Sequence, residues 1–265
     1  MFDERGLRRY ARHLVLPEIG GRGQRRLSEA SVLVVGAGGL GSPLLLYLAA
    51  AGIGRIGIVD GDRVDESNLH RQVLFDETDV GRPKARAAAA RLRALRADLV
   101  VEAFGERLDA ERARALVPRF DIVADGSDNL ETRLAVHAAC LAAGRVLVSA
   151  AVQGFDGQLT VFRAHEGPPH PCLRCLFPDD PEAGALPSCA QGGVLGPAAG
   201  VMGTLQAVEV VKELVGGFPS LSGTLLLYDA RSAEFTRLAF ARRPDCPVCG
   251  GTRPGIHIAG PPTVG

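Results

Sequence analysis

A short apolar run that ends in a glycine-rich turn leaves few folds open to this chain: Ser31-Val32-Leu33-Val34-Val35 leads straight into Gly36-Ala37-Gly38-Gly39-Leu40-Gly41. The run does not alternate between polar and apolar residues, which suits a strand buried on both faces of a parallel sheet. The turn fits G-x-G-x-x-G, whose glycines allow a tight bend, close approach of backbone N–H groups to phosphate, and close helix packing. A helix over 42–51, stopped by Gly52, and a strand over Arg55–Asp60 complete one βαβ unit. Asp60, at the end of that second strand, is placed for a ribose hydroxyl. By itself the motif says only that a nucleotide binds, and a nicotinamide-dependent oxidoreductase fits it equally well.

The rest of the chain supports an α/β class with a Rossmann-like doubly wound sheet. A basic amphipathic helix is expected over 4–16, then a glycine-rich turn at Gly20, Gly21 and Gly23 and a short helix over 24–30. Further helices are expected over 83–97 and 129–143, with strands at 99–104, 121–124 and 146–150. Residues 157–163 read as a strand in an antiparallel pair, 198–215 as a helix, and 225–229 and 234–241 as closing strands that extend the sheet. The expected organisation is a single unit over 1–265: a helical arm at 1–30, a nucleotide-binding part at 31–150, a crossover-loop, partner-binding and metal part at 151–250, and a loose tail at 251–265. Apolar residues make up 46% and charged residues 23%, which excludes a disordered chain. Lys plus Arg and Asp plus Glu number 30 each, so no net charge points to nucleic acid. No apolar run reaches membrane-spanning length, and residues 1–5 lack a secretory pattern, so a cytoplasmic protein is expected.

The segment after Asp60 argues against hydride transfer. Asp62, Asn68, Arg71 and Gln72 crowd a polar loop, and Lys84 follows in Gly81-Arg82-Pro83-Lys84. Asn68, Arg71 and Lys84 suit a triphosphate, whose departing pyrophosphate needs its charge stabilised. Asp128, in Asp125-Gly126-Ser127-Asp128-Asn129, sits at a strand end where such sheets bind ligands, and a carboxylate there suits Mg²⁺.

Six cysteines are present. Cys172-Leu173-Arg174-Cys175 and Cys246-Pro247-Val248-Cys249 form two C-x-x-C pairs, the pattern of a closed, structural Cys₄ zinc site. A redox pair or unpaired core thiols are the alternatives, and His170 is a spare ligand. Cys140, in an alanine-rich helix, reads as a small buried hydrophobe. Cys189, in a glycine-containing polar loop, reads as a reactive thiol.

Taken together, Gly36 to Gly41, Asp60-Gly61-Asp62, Ser67 to Gln72, Gly81 to Lys84 and Asp125 to Asn129 make the chain resemble the E1-like ThiF/MoeB/HesA activating enzymes from about Arg9 to Gly250. The resemblance implies ATP-dependent adenylylation of the C-terminal glycine carboxylate of a small ubiquitin-like sulfur-carrier protein ending in Gly-Gly. Pyrophosphate leaves, and the carrier is ready for thiocarboxylate formation. It implies a nucleotide site drawn from Gly36, Gly38, Gly39, Gly41, Asp60, Asp62, Asn68, Arg71, Gln72, Lys84, Asp128 and Asn129, with Asp60 on the ribose and Asp128 on Mg²⁺. It implies catalytic roles for Arg12, Arg71, Lys84, Asp128 and Cys189, Arg12 reaching the ATP of the other subunit of a homodimer. It gives the four paired cysteines to zinc. With no rhodanese domain in the sequence, a separate sulfur donor is expected, a cysteine desulfurase or a rhodanese. A third reading, an ATP-dependent tRNA-base dehydratase, fits the neutral charge and the Cys₄ pairs less well.

Overall fold

The computed structural model describes residues 3–178 and 193–250. Eight strands form one sheet in the order β3-β2-β1-β4-β5-β6-β7-β8. The strands are β1 Ser31–Val35, β2 Arg55–Val59, β3 Val100–Phe104, β4 Ile122–Asp125, β5 Val146–Gln153, β6 Asp156–Phe162, β7 Thr224–Asp229 and β8 Glu234–Ala239. The first five pair in parallel and the last three add antiparallel neighbours, as the sequence predicts. The apolar runs in β1 and β4 are buried throughout because helices cover both faces.

The helices are α1 Glu4–Arg9, α2 Ala11–Leu14, α3 Gly20–Glu29, α4 Gly41–Ala51, α5 Lys84–Leu95, α6 Ala110–Leu116, α7 Leu130–Ala143, α8 Leu173–Leu176 and α9 Gly196–Val215. One core lies under α4, α5 and α9, where Leu44, Leu45 and Leu48 of α4 are fully buried. Each contributes about 1.5–3 kcal/mol through the water it sheds. The other lies under α6 and α7, with Val123, Leu147 and Phe120 at its centre. Alternate residues of one strand feed the two cores: Val32 and Val34 one, Leu33 and Val35 the other. Among the described residues no helix is long and apolar enough to cross a membrane.

Four elements differ from expectation. The helix over 4–16 is two, broken at Tyr10, where the chain turns to bury the ring against Gly52. The glycine-rich turn at Gly20, Gly21 and Gly23 is the start of α3. Tertiary contact overrides propensity there, because a side chain at Gly23 would lie 3.1 Å from Val215 of α9. Helix α6 falls in a stretch to which the sequence assigned no element, and β5 runs on to Gln153 to pair with β6.

Candidate functional site

The glycine turn joins β1 to α4, and its shape is set by steric necessity. Gly36 has φ +89°, a conformation that disfavours a side chain. A Cβ on Gly41 would fall 2.0 Å from the Gly36 carbonyl oxygen, so only glycine lets the helix begin there. A Cβ on Gly38 would meet only Gln72 Nε2, at 3.9 Å, which leaves the crest of the turn open to a ligand. Gly41→Ala is therefore expected to cost about 1–3 kcal/mol of stability through forced backbone movement. It should also weaken ATP binding at least about tenfold, if the same movement spoils the N–H cradle. Calorimetry would measure both, and unchanged melting with unchanged affinity would contradict this geometry.

Charged groups converge on the turn from three loops. The carboxylate of Asp60 accepts from the N–H of Ala37 at 2.8 Å and from that of Asp62 at 2.9 Å. Burial raises its pKa, opposed by the Lys84 ammonium and these N–H groups. Lys84 opens α5, is 6% exposed, and lies 3.2 Å from an Asp62 oxygen. Lys84 is thus a buried ammonium held close to the Asp60 and Asp62 carboxylates. After the 3₁₀ turn Glu66–Asn68 the chain brings Arg71 and Gln72 against the glycine turn, while the Asn68 amide donates to the Ser67 hydroxyl at 3.3 Å. Arg71 donates to the Ser67 carbonyl at 2.9 Å, and its side-chain stem passes 3.6 Å from where a Gly39 Cβ would be. Asp128 is exposed on the loop after β4, and Asn129 caps α7 by accepting from Thr132 N–H at 2.9 Å. That capping occupies the Asn129 side-chain oxygen.

Sequence reasoning missed the residues that hold this loop. Gln206 of α9, fully buried, donates to the carbonyls of Asp125 at 2.9 Å and Val148 at 3.0 Å. Arg133 of α7 donates to the Ala150 carbonyl at 2.8 Å and also to that of Ser127. A lone amide between apolar neighbours, in Leu205-Gln206-Ala207-Val208, was the available signal for Gln206. Among the described residues, Ser42 Oγ, Gln72 Oε1, Asp125 Oδ2, Ser127 Oγ and Gln206 Oε1 are buried without a hydrogen-bond partner. Such atoms cost about 1–3 kcal/mol each when unpaired, and their gathering around one turn suits a polar ligand.

Arg12 is exposed on α2. Cys189 lies outside the described residues, and Cys140 is buried in the core under α7, as expected of a small hydrophobe.

The two C-x-x-C pairs, 74 residues apart, meet in space. All four sulfurs lie within 4.8 Å of one another, with Cys172–Cys175 at 3.8 Å, Cys172–Cys246 at 3.6 Å and Cys175–Cys249 at 3.4 Å. Zn–S bonds of about 2.3 Å in a tetrahedron require sulfurs about 3.8 Å apart, so the cluster fits a metal ion of that kind. Burial and the Cys175 thiol push Cys249 up to about 12, and burial with the Cys249 thiol raises Cys172 further. Against burial, the N–H groups of Cys249 and Val248 bring Cys246 down to about 7. Four thiolates share this space only around a cation. His170 instead turns its ring to the hydroxyl of Ser222, at 2.9 Å.

A profile of the ThiF family matches residues 10–248. The chain is 51% identical over 246 residues to the sulfur carrier protein adenylyltransferase of Thermus thermophilus, covering 92% of this chain and 91% of that one. It is 45% identical over 248 residues to the SAMP-activating enzyme E1 of Haloferax volcanii, covering 94% and 90%. It is 53% identical over 245 residues to the adenylyltransferase and sulfurtransferase MOCS3 of Bos taurus, but spans only 53% of that protein's length against 92% of its own. In fold it is similar to the crystal structure of E. coli MccB with MccA-N7isoASN: TM-score 0.80, 22% identity, 92% of this chain and 75% of that one.

Proposed function

This chain belongs to the ThiF family, and from that premise we propose that it adenylylates the C-terminal glycine carboxylate of a small ubiquitin-like sulfur-carrier protein. The observation that carries the reading is Lys84, a buried ammonium beside the Asp60 and Asp62 carboxylates at the glycine turn. Hydride transfer has no use for it, whereas phosphate chemistry does. The carrier's carboxylate oxygen attacks the α-phosphorus of ATP. The bond from that phosphorus to the bridging oxygen breaks, pyrophosphate leaves with the electron pair, and a carrier acyl-adenylate remains.

In this scheme the N–H groups of the glycine turn and the first turn of α4 receive phosphate oxygens, and Asp60 orients the ribose. Lys84, Arg71 and Asn68 hold the β- and γ-phosphates and neutralise the charge that grows on pyrophosphate. Asp128 would hold Mg²⁺, which supplies further charge neutralisation when bound. The four cysteines would hold structural zinc. Cys189 acts after activation, in sulfur transfer from a separate donor protein. Carrier-dependent ATP–pyrophosphate exchange tests the reading. Exchange that needs tRNA instead, or nicotinamide binding without exchange, would replace it.

Arg12 acts across a homodimer in this reading. It sits exposed on an arm preceding β1, where it can reach a twofold partner's site. Arg12→Ala and Lys84→Ala homodimers are each expected to be nearly inactive. A mixed dimer of the two should recover activity, because one site then has its own Lys84 and its neighbour's Arg12. A mixed dimer as inactive as its parents would place Arg12 in cis.

A further inference from the structure

The Cys172–Cys175 turn carries a structural problem that another helix solves. Cys172 is the N-cap residue of α8, and its side chain caps nothing. The thiolate of a metal ligand is committed elsewhere, so the first N–H groups of α8 need an acceptor from outside. Leu173 is nearly buried, and its N–H donates to Nε2 of His137, on α7, at 3.1 Å. Thirty-six residues separate the two in sequence.

The imidazole is built in. His137 is 4% exposed and meets Phe162 edge-on, with ring centres 5.7 Å apart. Phe162 meets Phe240 in the same way, at 6.4 Å. Phe240 leads into Arg242, which donates to the carbonyls of Ala164, His170 and Cys249. The row His137–Phe162–Phe240 thus reaches from the first cysteine pair to the segment that leads into the second. Accepting at Nε2 places the ring proton on Nδ1. Burial, with some help from the Arg174 charge, brings the His137 pKa down to about 4, so the ring is neutral and remains an acceptor near neutral pH.

We propose that His137 is a positioning residue for the metal: from α7 it caps α8 and holds the Cys172–Cys175 turn in its ligating conformation. The proposal rests on the zinc reading of the cluster. It places outside the cysteine pairs a residue on which zinc retention depends, and it ties that retention to the helix whose N-terminus bears Asp128 and Asn129. Groups that orient metal ligands from behind typically change metal affinity about 10–100-fold when removed.

The test compares wild type, His137→Leu and His137→Gln as purified zinc-loaded proteins. Zinc content is measured first, and zinc release to a chromogenic chelator is then followed with time. Gln places an amide oxygen near the position of Nε2, whereas Leu fills space without an acceptor. Release is expected to be at least about tenfold faster in His137→Leu and within about threefold of wild type in His137→Gln. Equal release from His137→Leu and wild type overturns the proposal, as does equally fast release from both variants. Wild type without zinc refutes the zinc reading itself and is distinguishable from either result. Should His137→Leu fail to fold, long-range ¹⁵N–¹H spectra of zinc-loaded wild type still decide. They should show His137 protonated at Nδ1, with the Leu173 amide protected from exchange. A proton on Nε2 overturns the assignment.

Discussion

Lys84→Ala is expected to reduce carrier-dependent pyrophosphate exchange by about 10²- to 10³-fold, the range seen when one preorganised charge-stabilising donor is removed. The buried position makes the effect large. Lys84 is 6% exposed, lies 3.2 Å from Asp62, and is close enough to Asp60 to favour its charged form. Truncation removes the cation and leaves two carboxylates facing an incoming triphosphate, so attraction becomes repulsion in a partly desolvated site. Lys84→Arg should not restore the rate, because a planar guanidinium does not fit a place shaped for a compact ammonium. Asp128→Ala should be comparably damaging through loss of the proposed Mg²⁺ ligand. Asp128 is exposed, so its loss should leave melting unchanged, which separates a chemical effect from a folding one. Exchange within threefold of wild type in both variants would remove the phosphate-site assignment.

Loss of the proposed zinc should have the second largest effect. Cys172→Ser or Cys249→Ser is expected to reduce zinc below about half an equivalent per chain and to lower stability by about 3–5 kcal/mol, or roughly 10 °C in melting temperature. The magnitude reflects what the cluster joins. It ties the stretch containing α8 to residues 242–250, beyond β8, the exposed strand at the sheet edge. Few other described contacts replace it: the Arg242 guanidinium reaches the Ala164, His170 and Cys249 carbonyls, and the Arg243 N–H reaches Cys175 at 3.4 Å. The large cores under α4, α5, α9 and α7 should remain folded, so the loss is partial, unlike that of a zinc finger. Zinc-free protein that melts with wild type would refute the structural role.

Much of this architecture was legible in the sequence because its signals are local. The strand β1, the glycine turn and α4 follow from an unalternating apolar run and from glycine spacing, both readable over a dozen residues. The cysteine cluster was legible because C-x-x-C spacing fixes two ligands locally and leaves only the meeting of two pairs to the fold. What escaped depends on partners distant in sequence. Tyr10 breaks a helix where its ring packs against Gly52, and Gly23 lies inside α3 where an added side chain would crowd Val215 of α9. Gln206, Arg133 and His137 act on carbonyls or N–H groups that β5, the Ser127 loop and α8 bring to them. Those assignments required the sheet order, which no local pattern supplies.

The central claim is that this chain activates a carrier's terminal carboxylate, and mass measurement of the carrier tests it most directly. Enzyme, MgATP, pyrophosphatase and a carrier ending in Gly-Gly are incubated, and the intact carrier is weighed. The account predicts a carrier heavier by one adenylyl group, with the addition on the terminal glycine. Hydroxylamine should displace AMP and leave the carrier as its terminal hydroxamate, and the addition should be absent from a carrier whose terminal carboxylate is amidated. An unmodified carrier, with ATP bound and the enzyme zinc-loaded and folded, would contradict it.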